Sequence, residues 1–149
     1  MDPLKDRIKE DMKASMKSGA KARLGVIRMI LAAIKQVEVD ERVELDDDRV
    51  IVVLDKMLKQ RRESIKQYRD ADRVDLAEIE EAEVLVIQDF LPQALSEAEI
   101  DEMVVKAIAE TGAESIKDMG KVMAILKPKM QGRADMAVVS ARIKSGFSV

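Results

Sequence analysis

The sequence contains neither cysteine nor histidine. Without cysteine the chain can form no disulfide and no thiolate metal site. Without histidine it lacks the commonest general base and the commonest transition-metal ligand. The six glycines are separated from one another, so no glycine-rich loop can cradle the phosphates of a nucleotide. We therefore expect no catalytic residues, no bound metal and no cofactor.

Aromatic side chains and long apolar runs are also scarce. The aromatic residues are Tyr68, Phe90 and Phe147, so the core must come from aliphatic side chains and ten methionines. With 37% charged residues and few glycines or prolines, this composition favours long amphipathic helices. The sequence has no run of about 18 apolar residues, and its first residues lack the apolar segment of a signal peptide. We expect a cytoplasmic protein that does not cross a membrane.

Apolar residues recur at three- and four-residue spacing along nearly the whole chain, which predicts an all-α fold. In the first part the spacing predicts four helices. One runs from Leu4 and stops at Gly19, one covers about 24–37, one follows the N-cap Asp46, and one covers about 73–90. No stretch keeps the period-two alternation of a β-strand.

Leu91-Pro92 ends the fourth helix, because proline disfavours helical dihedral angles in the residue before it. We place a domain boundary here. It separates an N-terminal helical region, residues 1–92, from a C-terminal domain of three shorter helices, residues 93–149.

Capping residues mark the three C-terminal helices. Ser96 and Glu99 have the spacing of a capping box, in which each side chain binds a backbone N–H of the other residue. Ser115 and Asp118 repeat the spacing as a weaker box. Gly112 and Gly132 are predicted helix ends, and Asp135 is the predicted N-cap of the last helix.

Charge is distributed unevenly along the chain, although the net charge is only −3. Residues 75–114 contain twelve acidic residues and one basic residue, whereas residues 117–149 contain seven basic and two acidic residues. The basic end could meet a polyanion locally. Solvated helix faces would explain the same pattern.

Three charged clusters could carry chemistry, and each has a structural explanation. Glu80, Glu81 and Glu83 could supply an acid–base pair, but their helical spacing favours a solvated face. The aspartates of 46–48 could bind Mg²⁺ weakly, but helix capping explains them better. Lys59–Arg62 could grip phosphates or pair with nearby acids.

The stretch DMGKVMAILKPKMQGRAD, residues 118–135, combines a helical pattern with two helix-breaking residues. Gly120 costs about 1 kcal/mol relative to alanine inside a helix, so a close helix or a ligand must approach there. Pro128 removes a backbone N–H and is expected to kink or end the helix. Cations around this C-terminus complement the helix dipole, which is the simplest explanation for them.

This part of the chain resembles the tail domain of the GatB/YqeY family. The marks are Asp118–Met123, then Gly132–Asp135, then the paired valines Val138-Val139. The upstream segments DMKASMKSGAKARLGVIRMILAAIK and FLPQALSEAEI are similar to stand-alone YqeY-like members. The resemblance covers nearly the full chain. It implies an N-terminal four-helix region followed by a three-helix tail domain.

The resemblance also implies a link to tRNA. The same tail ends the B subunit of the glutamine-dependent tRNA amidotransferase and helps to engage tRNA there. The large catalytic portion of that subunit is missing from this chain, so a label such as carbon–nitrogen ligase with glutamine as amido donor could follow the domain without the chemistry. We expect a non-catalytic accessory protein that binds structured RNA, with an aminoacyl-tRNA synthetase or an amidotransferase as a possible partner and no DNA.

The expected RNA contacts are the seven cations of the basic tail, because three aromatics allow little base stacking and recognition should follow shape and backbone. Glycines are expected where the RNA or a helix approaches closely. One alternative is a protein-interaction adaptor that docks through acidic residues 75–114, and another is a subunit associated with carbon–nitrogen ligase activity that uses glutamine as amido donor. The expected phosphate-binding residues are Lys117, Lys121, Lys127, Lys129, Arg133, Arg142 and Lys144, and the expected close-approach residues are Gly120 and Gly132.

Overall fold

The computed structural model describes residues 3–147, and within that range every regular element is helical. This confirms the predicted all-α fold. The α-helices, in chain order, are α1 (Leu4–Ser18), α2 (Lys21–Glu41), α3 (Asp47–Asp70), α4 (Val74–Gln88), α5 (Glu97–Thr111), α6 (Met119–Met130) and α7 (Met136–Phe147). A single 3₁₀ turn, Ile116–Asp118, leads directly into α6.

The helices group into two compact units that divide between Leu91 and Pro92. The first unit contains α1–α4 and the second contains α5–α7, and each has its own apolar core. Independent folding of the predicted domains, residues 1–92 and 93–149, stays a prediction.

The core of the first unit consists almost entirely of aliphatic side chains. They come from one face of each helix, at the three- and four-residue spacing that an α-helix requires to bury one stripe. Phe90 is the aromatic member, and it is 4% exposed. The fully buried side chains of this core include Ile8, Ile27, Ile30, Ile34, Val50, Leu54 and Ile87.

Arg23 ties three helices of this unit together. Its Nε and Nη2 donate to the two carboxylate oxygens of Asp11 at 3.1 and 2.7 Å, and its Nη1 donates to Asp89 Oδ2 at 2.7 Å. Its guanidinium carbon lies 5.6 Å from the centre of the Phe90 ring. Ser15, which is almost fully buried, donates to Asp11 at 3.1 Å. The start of α2 is thereby fixed to α1 and to the end of α4.

The other end of the unit is held by hydrogen bonds that join the start of α1 to α2 and α3, and α2 to the α2–α3 loop. Asp47 Oδ1 accepts from the Leu4 N–H at 2.9 Å. Glu38 Oε2 accepts from Lys5 Nζ at 2.7 Å and from the Leu45 N–H at 2.9 Å. The bond from Lys5 and the bond from the Leu45 amide hold the pKa of Glu38 below its ordinary value.

Most of the predicted helix ends are confirmed. Asp46 caps α3 by accepting from the Arg49 N–H at 2.9 Å. Ser96 and Glu99 form the complete capping box, with both bonds at 3.1 Å. Gly19 and Gly112 end α1 and α5 in the left-handed conformation, with φ of 75° and 65°.

The second predicted capping box is wrong. The Ser115 side chain makes no capping bond, and a 3₁₀ turn takes the place of the helix start. The carboxylate of Asp118 turns back and accepts from the Glu114 N–H at 3.0 Å, which lowers the pKa of Asp118. The physical reason is that the 3₁₀ turn directs the Asp118 N–H to the Ser115 carbonyl, at 2.9 Å, so this amide is not free for the Ser115 hydroxyl.

Pro128 lies inside α6, in its last turn, and the helix continues for two residues beyond it. Gly132 then takes a positive φ of 77°. Asp135 Oδ1 accepts from the Ala137 N–H at 3.0 Å, which confirms it as the N-cap of α7.

We expect Gly112→Ala to lower the free energy of unfolding by about 1–2 kcal/mol, because a β-carbon is strained in the left-handed conformation. Urea denaturation followed by circular dichroism measures the change. Ala113→Ser, at the next residue, is the control, because a change inside the helix such as Ala109→Gly would alter helix propensity. It should have a small effect on the free energy of unfolding. An unchanged midpoint for Gly112→Ala would contradict the role of this glycine.

The Arg23–Asp11 pair predicts an acid dependence of stability. Hydrogen bonds from Arg23 hold the pKa of Asp11 below its ordinary value. A depressed folded-state pKa contributes stability above the unfolded pKa of about 3.9, and this stability is lost as pH falls through the folded pKa. As pH falls through that range, the free energy of unfolding of Asp11→Asn should decrease less than that of the wild type. Urea midpoints against pH test this, with the exposed Asp70→Asn as control. Parallel curves for wild type and Asp11→Asn would contradict the prediction.

Candidate nucleic-acid interface

Helix α6 has one buried face and one exposed face, and the buried face fixes the direction of its lysines. Val122, Leu126 and Met130, at four-residue spacing, are buried in the core of the second unit. A residue two positions before or after each of them points away from that core, because successive residues turn by about 100° around the helix. Gly120 and Ala124 are exposed accordingly.

The exposed face of α6 has small residues along its centre and lysines at its edges. Gly120, Ala124 and Pro128 follow one another at four-residue spacing, and all three are exposed. By helix geometry Lys121 lies on one edge of this strip and Lys127 on the other. The sequence argument had selected Gly120 and the lysines but missed Ala124, although the four-residue spacing was available as a signal.

Four of the predicted RNA contacts are exposed lysines with no ion pair to any residue of the described range. Two of them flank the small strip, one precedes it in the 3₁₀ turn, and one lies near the end of α6. These lysines are Lys117, Lys121, Lys127 and Lys129. Asp118 is the acid nearest to Lys121 in sequence; its carboxylate accepts from the Glu114 amide and attracts Lys121 without forming an ion pair.

Arg133 is engaged in holding the second unit together. Its Nε donates to the Gln93 carbonyl at 3.0 Å, and its own carbonyl accepts from the Leu95 N–H at 2.8 Å. These two bonds join the segment after α6 to the segment before α5. The side chain is therefore partly used in structure, and its contact with RNA stays a prediction.

Arg142 is engaged in the same way, between α7 and α5. Its Nη1 donates to the carboxylate of Asp101 and, at 3.3 Å, to the Glu97 carbonyl. Its Nη2 lies 3.6 Å from the Glu97 carboxylate. The seven predicted cations therefore differ in whether they are engaged within the chain.

Lys144 is exposed near the end of α7 and also interacts with its own chain.

The structure changes the explanation of both close-approach glycines. A β-carbon at Gly120 would meet no atom within 4 Å, so the expectation that a helix of the described chain crosses there is wrong. The approach of an external ligand stays a prediction. Gly132 has a conformational reason of its own, because its φ of 77° disfavours residues with a β-carbon.

The charged clusters of the first unit form internal ion pairs. Arg61 lies 3.1 Å from the Glu83 carboxylate and 4.0 Å from that of Glu80, and Arg69 pairs with Glu81. The predicted solvated face at these glutamates is incomplete, since they are partly exposed and α3 also supplies arginines that pair with them. For the Lys59–Arg62 cluster, pairing with acids is what the structure shows at Arg61.

Two negative findings apply to residues 3–147. No cluster of three or more aspartates and glutamates in this range has an arrangement that could hold a metal ion. No helix in the same range is both long and apolar enough to cross a membrane.

The different roles of Arg142 and Lys121 can be tested by stability. Arg142→Gln breaks the ties between α7 and α5, so we expect it to lower the free energy of unfolding by up to about 1 kcal/mol. Lys121→Gln changes an exposed side chain without such a partner and should stay within about 0.5 kcal/mol of wild type. Urea denaturation compares the two variants. Equal stabilities would contradict the structural role of Arg142.

Similar proteins come from fungi. The chain is 33% identical over 141 residues to "Altered inheritance of mitochondria protein 41, mitochondrial" of Pyrenophora tritici-repentis, covering 93% of this chain and 77% of that protein. It is 31% identical over 147 residues to the protein of the same name from Lachancea thermotolerans, covering 94% and 79%. The cytoplasmic location expected from the sequence is contradicted by these relatives, which are named as mitochondrial.

The family model described as Yqey-like protein matches residues 5–147. The match spans both helical units, so it includes the α1–α4 region as well as the tail with its lysine-flanked helix. It confirms the resemblance drawn from the DMGKVM and GRAD motifs. The chain belongs to the YqeY-like family.

Proposed function

We propose that this protein is a non-catalytic accessory protein that binds structured RNA, most simply tRNA, through the exposed face of α6. One observation supports this above others. Lys117, Lys121, Lys127 and Lys129 are exposed and form no ion pair within the described residues, whereas Arg142 in the same unit is paired. Exposed cations without an ion pair are available to neutralise phosphates.

The small residues between the lysines suit a backbone-directed contact. With Gly120 and Ala124 at the centre of the exposed face, a ribose–phosphate backbone can come close to the axis of α6. The lysines at the two edges then reach phosphates on either side. Recognition of this kind depends on the shape of a folded RNA, which agrees with the lack of exposed aromatic side chains on α6.

The adaptor alternative has less support, because much of the acidic region 75–114 is used inside the chain. These carboxylates bind arginines or backbone amides of their own unit, so part of their charge is neutralised within the chain. The acids concerned are Asp75, Glu80, Glu81, Glu83, Asp89, Glu97, Glu99 and Asp101. The proposal also includes no amide-transfer step, and the carbon–nitrogen ligase label is not extended to this chain.

The test is tRNA affinity as a function of salt, measured by fluorescence anisotropy with an unstructured RNA of equal length as competitor. We expect tRNA to be preferred. We expect the double variant Lys121→Gln/Lys127→Gln to reduce the slope of log K against log salt concentration by about two, about one per phosphate contact. Because two relatives carry a mitochondrial name, mitochondrial tRNA should be compared with bulk tRNA.

Lys106→Gln is the matched control, since Lys106 is an exposed lysine of α5 in the same unit. It should leave both the affinity and the slope unchanged. A folded double variant that binds tRNA like the wild type would remove the α6 surface from the proposal. No binding of either RNA near physiological salt would overturn the proposal as a whole.

A further inference from the structure

Helices α1 and α2 form a groove whose rims carry lysines. The groove has a volume of about 430 Å³. Its lining includes Lys9 and Lys13 on the α1 rim and Lys35 on the α2 rim. All three side chains are exposed, and none forms an ion pair within the described residues. The first unit therefore has a group of available cations of its own, in addition to the α6 lysines of the second unit.

The two acids that line the α1–α2 groove are Glu38 and Glu44. Glu38 Oε2 accepts from Lys5 Nζ at 2.7 Å and from the Leu45 N–H at 2.9 Å, so its charge is largely used within the chain. Glu44 attracts the same lysine, and Lys35 attracts Glu38 without forming an ion pair. Lys5 is therefore a structural lysine, whereas the cations farther along α1 have no acid bound to them.

Lys9 and Lys13 follow one another along the α1 rim, and Lys35 lies on the other rim. Four residues of an α-helix rise by about 6 Å, so the two lysines of α1 are separated by one helical turn. Asp6 and Glu10, which lie close to them in sequence, do not line the groove. A chain of anionic groups laid along the groove would therefore meet cations on both sides.

The floor of the α1–α2 groove is apolar and small. Met12 and Leu31 are partly buried there and pack on the core of the first unit, while Ile34 is only 1% exposed. Met12 and Leu31 are thus the two floor residues that offer apolar surface to a ligand. This surface suits one flat or small apolar group. It does not suit a docked amphipathic helix, which buries several anchors spaced over two turns.

A nucleotide within an RNA strand has both of the parts that this groove can bind. Its phosphates match the lysines of the rims, and an unstacked base has an apolar face for the floor. The volume lies near the lower end of the range for sites that hold one small ligand. An inorganic anion would use the rims and leave the floor uncovered. A lipid surface fits poorly, because the partly buried floor lies below the exposed lysines.

We propose that the α1–α2 groove is a second RNA-binding site, which holds about one unpaired nucleotide of the RNA. Lys9, Lys13 and Lys35 bind its phosphates and those beside it, and the base lies on Met12 and Leu31. This inference rests on the proposed function and extends RNA binding from the second unit to the first. An unpaired nucleotide is required, because a base inside a double helix cannot reach the floor. Two linked contacts raise the affinity above that of either one.

The first test is the salt dependence of tRNA affinity for the full chain, measured by fluorescence anisotropy. Lys9→Gln/Lys13→Gln should reduce the slope of log K against log salt concentration by about 1.4, which is about 0.7 for each phosphate contact of a single strand. Lys56→Gln/Lys66→Gln is the matched control, because it removes two exposed lysines of α3 that do not line the groove. The control should leave the slope unchanged.

The α6 variant Lys121→Gln/Lys127→Gln separates this inference from the proposed function. If both surfaces bind RNA, the two changes in slope should add in a variant that combines all four substitutions. If the α6 variant reduces the slope while folded Lys9→Gln/Lys13→Gln behaves like the wild type, the inference about the groove is wrong and the α6 surface stands. If the wild type binds no RNA, both proposals are overturned.

Methionine methyl groups report on the floor of the groove without any change of charge. In an NMR titration of methyl-labelled protein with a short oligouridylate, the Met12 resonance is expected to shift, because a base lies on this side chain. Met29 is the matched control, since it is a 40% exposed methionine of α2 that lines a different groove. Its resonance should stay in place. Met12→Leu assigns the signal.

Three outcomes of the titration would overturn the proposal. The first is a Met12 resonance that stays in place at a saturating concentration of the oligonucleotide. The second is an equal shift with uridine monophosphate at the same nucleotide concentration, which would assign the groove to a free nucleotide. The third is a shift with polyglutamate but not with RNA, which would assign the groove to an acidic segment of a protein.

Discussion

The structure depends on burying aliphatic side chains closely enough to make a core almost without aromatic rings. Leucine, isoleucine, valine and methionine are small, so each buries little area, and many must pack at once to exclude water. Long helices meet this constraint because they present an apolar stripe at regular spacing. The consequence is two separate aliphatic cores, one for α1–α4 and one for α5–α7.

Most of the charged side chains that tie helices together are arginines, with Lys5, paired to Glu38, as an exception. Arg23, Arg61 and Arg142 lie between helices, where each guanidinium binds carboxylates or carbonyls of two or more residues. A planar group with five donors suits such positions better than an ammonium. The lysines of α6 are left in solvent. This division, rather than the total charge of the tail, makes α6 the surface that supports RNA binding.

Local signals in the sequence predicted much of the helical structure. The caps at Asp46, Ser96 and Asp135 were predictable because a capping bond joins residues that are two or three positions apart. Ser115 was misjudged, since a 3₁₀ turn directs the Asp118 amide to the Ser115 carbonyl and leaves no amide for the Ser115 hydroxyl. Gly120 was predicted to admit either a close helix or a ligand, and no atom of the described chain comes within 4 Å of a β-carbon there. A glycine in a helix indicates that a side chain is absent, but not what occupies the space.

The sequence by itself determined the helices, most of their ends, the break near Pro92 and the family, because each depends on residues close together in the chain or on contiguous motifs. Only the tertiary structure decided which cations are available. Arg142 and Lys121 look alike in a list of basic residues, but Asp101 and Glu97 lie opposite the first, about forty positions away in sequence. Likewise only the packing of α4 on α2 and α3 showed that Ile79 and Leu85 stay exposed. Side-chain pairs across helices depend on the distances between helices, which the spacing of residues along one helix does not give.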